Sequence, residues 1–229
     1  MSADVVIPRT MVIPTVIGIG GFPDRAMAEY VLGLARGRRL LYVGTASMED
    51  PGLAAAVEGL VEGLAEVARL EFNPWPPARL REAALAHDVI LVGGGSTANM
   101  LAVWRVHGFD EILREAWREG VVLTGWSAGM ICWFEAGVTD SFGPELAGMR
   151  DGLGLLPGSA CPHYDGEELR RPIYRRLVGE GFPAGIALDD AAAARYAGTE
   201  LVEVVASRAG AAGYRVGPDG EERIEPRPL

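Results

Sequence analysis

The residues most able to do chemistry lie in the stretch Val121 to Met130. A short apolar run there meets Gly125-Trp126-Ser127-Ala128-Gly129 and passes into a helix-compatible segment. A strand that meets Gly-x-Ser-x-Gly and continues as a helix is the pattern of a nucleophile elbow, a tight turn that lifts a serine hydroxyl clear of the sheet. Ser127 is therefore the candidate nucleophile. Such a turn leaves no room for side chains at Gly125 and Gly129, and the helix start beyond it offers backbone N–H groups to a developing oxyanion. Upstream, Asp88-Val89-Ile90-Leu91-Val92 runs into Gly93-Gly94-Gly95-Ser96-Thr97, a second strand end followed by bare backbone. Two such ends can face one another across a site at the carboxyl edge of a parallel sheet.

A serine hydroxyl needs a base, and the base works best when a third group fixes its tautomer. Of the three histidines, His87 and His107 fall where helices end, which explains them sufficiently. His163 follows an extended segment beside Pro162 and is the candidate general base. The acid is open at this point. Asp140 would give the order Ser, Asp, His, whereas Asp189 or Asp190 would give Ser, His, Asp, and spacing does not choose between them.

These residues need elements to position them. Val12 to Ile19 reads as a first strand, followed by a helix capped by Asp24 and a second strand from Arg39 to Ala46. Asp50-Pro51 opens the clearest amphipathic helix, with Leu53, Ala56, Val57, Leu60, Val61 and Leu64 at helical spacing. A short strand at Arg69 to Phe72 and a helix at Ala78 to His87 lead to the strand that delivers the triple glycine. Helices at Thr97 to Val106 and Asp110 to Glu119 precede the elbow strand. This alternation predicts an α/β fold, a mostly parallel sheet with helices on both faces. Beyond the elbow, residues 137–154 read as a long loop over the site. Leu155 to Cys161 reads as extended, Glu167 to Val178 as an arginine-rich helix, and the segments after Gly185 as short, largely antiparallel strands; the tail from Pro218 reads as an exposed end.

Composition narrows the functions. The 229 residues suit one α/β domain spanning 1–229. A net charge of −10 argues against a nucleic-acid surface, and no apolar run approaches a membrane span, so a cytoplasmic protein is expected. All 21 basic residues are arginine, which excludes a phosphate-loop lysine and a Schiff-base lysine. Pro23 stands where a dinucleotide fingerprint would place its third glycine. Cys132 and Cys161 make no metal-binding pair, and neither cofactor nor metal is called for. The oligomeric state is open, a homodimer being one option.

Taken together, Val92-Gly93-Gly94-Gly95-Ser96-Thr97, Gly125-Trp126-Ser127-Ala128-Gly129, Pro162-His163-Tyr164 and Ala187-Leu188-Asp189-Asp190 resemble the serine peptidase family that contains aspartyl dipeptidase (peptidase E) and cyanophycinase. The likeness runs in the same order over nearly the whole chain. It implies a fold similar to class I glutamine amidotransferases, with serine replacing cysteine, and an acid after the histidine, which falls on Asp190. It also implies that an arginine downstream of the histidine, Arg170 or Arg171 here, meets the substrate's N-terminal aspartate; Gly95 and Ser96 are further candidates for binding substrate. Two positions depart from the family pattern: Ser96 stands where Asn is frequent, and Asp190 where Glu is frequent. A shorter acid orients the imidazole only if its backbone sits closer.

The expected activity is hydrolysis of short peptides, above all dipeptides with an N-terminal aspartate. Ser127 attacks, His163 takes and returns the proton, Asp190 orients His163, and the N–H groups of Gly94 and Ala128 hold the oxyanion. One alternative is cyanophycinase-like cleavage of β-linked aspartyl-arginine. Another, from a different class, is a non-catalytic module whose triple glycine binds an anion or other ligand.

Overall fold

The computed structural model describes residues 13–229, so Val12, read above as the start of the first strand, lies outside the described residues. In chain order come β1 (Thr15–Ile19), α1 (Arg25–Gly33), β2 (Arg39–Val43), α2 (Pro51–Leu60), β3 (Glu66–Leu70), α3 (Leu80–Leu85) and β4 (Val89–Val92). Next are α4 (Thr97–His107), α5 (Phe109–Glu119), β5 (Val122–Trp126), the single-turn α6 (Ala128–Ile131), β6 (Phe134–Thr139), β7 (Ala147–Met149) and β8 (Leu156–Cys161). The chain continues through α7 (Arg170–Gly179), β9 (Gly185–Leu188), β10 (Ala192–Ala197), β11 (Glu200–Ala206), β12 (Gly213–Gly217), β13 (Gly220–Ile224) and β14 (Arg227–Pro228).

Local chemistry fixes the helix ends. The carboxylates of Asp24 and Asp50 accept from the N–H groups of Met27 and Leu53 at 2.9 and 2.7 Å, capping α1 and α2. Gly108 and Gly120, both left-handed, end α4 and α5.

The strands form two sheets. The larger has eight, in the order β14-β11-β10-β1-β5-β4-β2-β3, and β1, β5, β4, β2 and β3 run parallel through it. β10 joins antiparallel to β1, and β11 antiparallel to β10. Strand alternation divides its central side chains between two cores. Val16, Leu41, Val43, Ile90, Val92 and Leu123 face α3, α4 and α5, while Ile17, Ile19, Leu40, Val89, Leu91 and Val122 face α1 and α2. Burial on both faces makes these strands continuously apolar in sequence.

The second sheet, in the order β13-β12-β9-β8-β6-β7, is where the structure departs from the sequence reading. Residues 137–154 are not one long loop: β6 and β7 pair antiparallel through Gly137 with Met149 and Thr139 with Ala147. Nor is the tail a free end, since β13 pairs with β12 and β14 with β11. Ile186, Leu188, Leu156 and Ala160 of this sheet join the larger core, and Val138, Cys161, Ala187 and Val216 pack with Tyr174 and Val178 of α7. The second sheet thus lies between the main body and α7. Among the described residues no helix is long and apolar enough to cross a membrane.

Candidate active site

Ser127 follows β5 directly, with φ 54° and ψ −116°, a conformation that a residue with a side chain rarely adopts. The neighbouring glycines are required by contact. A Cβ on Gly129 would sit 2.2 Å from the carbonyl oxygen of Val92, and one on Gly125 would sit 2.6 Å from the same atom. Val92 ends β4, so the serine turn packs directly on the strand that delivers the triple glycine. A Cβ on Gly94 would meet Trp126 Nε1 at 2.8 Å and Ser127 Cβ at 3.2 Å, which places the Gly94 backbone against the serine. Gly95, at φ 134°, presses on the carbonyl of Ala46, and the Ser96 N–H donates to that oxygen at 2.8 Å. Ala128 opens α6, so its N–H has no partner within the helix.

The end of β1 ties the serine to the histidine. Ser127 N–H donates to the Ile19 carbonyl at 3.3 Å, and His163 N–H donates to the adjacent Gly20 carbonyl at 3.2 Å. His163 also has positive φ, 53°. The next two residues are anchored as well: Tyr164 N–H donates to Leu188 O at 3.0 Å, and Asp165 Oδ1 accepts the Asp190 N–H at 2.8 Å.

The three candidate acids separate cleanly. Asp190 Oδ1 lies 2.7 Å from His163 Nδ1. An ionised carboxylate only accepts, so a neutral imidazole in this contact would carry its proton on Nδ1 and leave Nε2 as an acceptor. Asp189 is buried and turned away, accepting from Ala212 N–H at 2.9 Å and from the Tyr214 hydroxyl at 3.4 Å. Burial first, and then the charge of Asp165, push its carboxyl above the usual aspartate range. Asp140 lines the cavity that also holds Ser127. The segment 189–191 crosses from β9 in the second sheet to β10 in the first, so the His–Asp pair stands where the two sheets meet.

That cavity has a volume of about 360 Å³ and is lined by Gly95, Ser96, Ser127, Asp140 and Arg170, together with Asn99, Ser141 and Glu167, which the sequence did not single out. The two expected arginines part company here. Arg170 is buried, with Nε and Nη2 on the Glu167 carboxylate at 2.7 and 3.3 Å and Nη1 on the Val138 carbonyl at 3.0 Å. Arg171 does not line the cavity. It stacks over the rings of Tyr164 and Tyr214 and binds Glu221 of β13, because adjacent helical residues point about 100° apart. The two thiols are poor nucleophiles: both are buried, and burial pushes Cys161 up to about 12 and Cys132 well above its usual value.

A serine on a strained strand-to-helix turn, tied through the end of β1 to the loop that carries a His–Asp pair, is a set of groups suited to hydrolysis. The comparisons narrow the class. Residues 19–204 match Peptidase family S51, and the chain belongs to this family of peptidases. It is 43% identical over 208 residues to the uncharacterized peptidase YgaJ of Bacillus subtilis (strain 168), covering 87% of this chain and 90% of that one. A Peptidase E of Shewanella putrefaciens is 29% identical over 124 residues, 54% of this chain and 51% of that protein. Two solved structures share the fold. A peptidase from an acI-B1 Actinobacterium has a TM-score of 0.68 at 17% identity, covering 94% of this chain and 96% of that one. A putative Peptidase E protein from Listeria monocytogenes EGD-e has a TM-score of 0.66 at 18% identity, covering 85% and 99%.

Proposed function

We propose that this peptidase is of the serine type and hydrolyses short peptides, with Ser127 as nucleophile, His163 as general base and Asp190 as the acid that orients it. The observation that carries the reading is the hanging of Ser127 and His163 from adjacent carbonyls of Ile19 and Gly20. That link holds the nucleophile and the base in one frame while Asp190 fixes the imidazole's tautomer. His163 Nε2 takes the hydroxyl proton as Ser127 attacks the peptide carbonyl, then gives it to the departing amine. The N–H groups of Ala128 and Gly94 receive the oxyanion, each such donor being worth roughly 3 kcal/mol in the transition state. Water then releases the acyl group by the same steps in reverse roles.

Dipeptides that begin with aspartate are the proposed substrates, and Arg170, buried in the cavity wall beside Ser96 and Ser127, is the cation that meets the acidic side chain. A second reading keeps the same chemistry without the acidic preference. It is favoured by Glu167, which already occupies two nitrogens of Arg170, so that an acidic side chain must displace it.

The test is hydrolysis of Asp-Leu, Glu-Leu, Ala-Leu, β-Asp-Arg and Asp-Leu-Ala by the wild type and by Ser127→Ala. Cleavage of Asp-Leu that is lost in the variant supports the first reading. Equal cleavage of Ala-Leu moves the specificity to the second, cleavage of β-Asp-Arg alone selects the cyanophycinase-like alternative, and turnover retained by Ser127→Ala overturns the serine mechanism.

A further inference from the structure

Asp190 is held from behind as well as from the side that faces His163. Its N–H donates to Asp165 Oδ1 at 2.8 Å, and its carbonyl accepts from Arg208 Nη2 at 2.9 Å. The same Arg208 nitrogen binds Asp165 Oδ2, closing a ring that runs from Asp190 N–H through Asp165 and Arg208 back to Asp190 O. Both polar atoms of the Asp190 backbone are therefore occupied by one ion pair. Its members come from opposite sides. Asp165 follows His163 by two residues, and Arg208 lies in the turn after β11.

The need for such a ring follows from the backbone there. Asp190 and Ala191 lie in the crossing between sheets, outside both ladders, and Ala191 has φ 66°. The flanking peptide groups are bonded elsewhere, Ala192 N–H to Asp189 O at 3.1 Å and Ser207 N–H to Ala191 O at 3.0 Å, so the ring supplies the bonds of Asp190 itself, the residue whose carboxylate must hold one direction. The pair is half-exposed, with side-chain exposures of 51% for Arg208 and 34% for Asp165, and surface pairs of this kind add little to stability. Its consequence lies in geometry. Asp165 carries its restraint on the same loop as His163, so the ring couples the base to its acid through two routes, one through the side chain and one through the backbone.

We infer that Asp165 and Arg208 are positioning residues of the catalytic site, a backbone clamp that aims the Asp190 carboxylate at His163. The inference rests on the serine peptidase reading. Neither Asp165 nor Arg208 lines the cavity that holds Ser127, so loss of the clamp should act on turnover and leave substrate binding alone.

The experiment measures the rate at which a fluorophosphonate probe labels Ser127 in the wild type, Arg208→Gln, Asp165→Asn and the double variant. Ser127→Ala serves as the blank, and thermal melting is followed in parallel. Asp165→Asn preserves shape and an acceptor for the Asp190 N–H, so it reports on the ion pair even if Arg208→Gln folds poorly. Labelling should slow about 10- to 100-fold in each single variant, as for the loss of a group that orients a catalytic one. The double variant should fall no more than about 3-fold below the slower single, since the two act as one unit. On a cleaved peptide of the panel KM should stay within about 2-fold while kcat falls. The downfield proton resonance of His163 Nδ1–H should move or vanish. Wild-type labelling by the folded variants, or slowing that follows melting with the His163 resonance unchanged, overturns the clamp. Labelling of Ser127→Ala at the wild-type rate is a different failure, that of the serine reading itself.

Discussion

Asp190 Oδ1 lies 2.7 Å from His163 Nδ1, and neither neighbouring candidate carboxylate makes that contact. The bond matters for the tautomer. An amide at position 190 would present its own N–H or a weaker acceptor, and the imidazole would lose its preference for a proton on Nδ1. Asp190→Asn is expected to lower kcat by about 10³- to 10⁴-fold with the fold unchanged. Asp140→Asn should lower kcat by less than about 10-fold, because the carboxylate at His163 Nδ1 is that of Asp190 while Asp140 lines the cavity. Steady-state kinetics on whichever dipeptide is cleaved decides; a kcat loss larger for Asp140→Asn than for Asp190→Asn would move the acid.

Two glycines crowd the Asp190 carboxylate. A Cβ on Gly21 would fall 2.3 Å from Oδ1, and one on Gly166 would fall 2.3 Å from Oδ2. The obstacle in both cases is the tip of a side chain, which can rotate away, so Gly21→Ala should displace the carboxylate at little cost in stability. At Gly20 the obstacle is backbone, the Asp189 carbonyl at 2.1 Å from the added atom. Gly21→Ala is therefore expected to lower kcat about 10- to 100-fold while losing under about 1 kcal/mol of stability. Gly20→Ala should lose about 1–3 kcal/mol or more, as an overpacked site does. Urea midpoints beside kcat for the two variants test the contrast, and equal stability losses would refute it. The same crowding answers the short acid at position 190: glycine on either side lets that backbone come close.

How much of this was legible in the sequence depended on whether backbone or side-chain contacts set the choice. The elbow was legible because Gly125 and Gly129 both rest on the Val92 carbonyl, a backbone contact that permits glycine alone. The central strands were legible because burial on both faces makes them continuously apolar. Of the second sheet, β8, β9 and β12 were legible as extended segments, and β6, β7 and β13 were not. β6 contains Gly137, whose absent side chain makes room for Ile131 and Ala160, so the alternation that marks a strand is interrupted where packing is tightest. β13 carries Glu221, Glu222 and Arg223 in succession on a sheet edge, which reads as a solvated tail. The choice among carboxylates was hidden for a related reason. Asp189 and Asp190 differ only in which way a crossing between two sheets turns them, and the sequence pattern marks one sheet. Glu167 escaped notice because its signal is a buried arginine three residues along the chain, and burial of Arg170 is visible only once β6 is placed.

Asp189 gives the protein a pH dependence separate from catalysis. Its carboxyl is raised above the usual range by burial foremost and by the charge of Asp165 next, with the Ala212 N–H opposing. An acid that holds its proton more tightly in the folded state contributes stability that is full below its unfolded pKa. That contribution is lost as the pH rises through the folded value. Asp189→Asn stays neutral throughout. The stability of this variant relative to the wild type should accordingly rise between about pH 3 and about pH 7, whatever its offset at the acid end. Urea denaturation of both proteins over that range is the measurement, and a flat or falling difference would remove Asp189 from the account.

The strain at Ser127 predicts that this position trades stability for chemistry. A side-chain-bearing residue at φ 54° and ψ −116° costs about 1–3 kcal/mol, and glycine is free of most of that cost. Glycine also loses about 0.5–1 kcal/mol through its more disordered unfolded chain. Ser127→Gly should therefore gain about 1 kcal/mol, a rise of about 2–4 °C in Tm for a chain of this size. Ser127→Ala keeps the Cβ and its strain, so it should melt close to the wild type. Both variants lose the hydroxyl and with it peptide hydrolysis and probe labelling. The comparison isolates the backbone from the chemistry: stabilisation by glycine and not by alanine identifies strain that the fold maintains for a reacting serine. A Gly variant no more stable than the Ala variant would mean that the turn is relaxed.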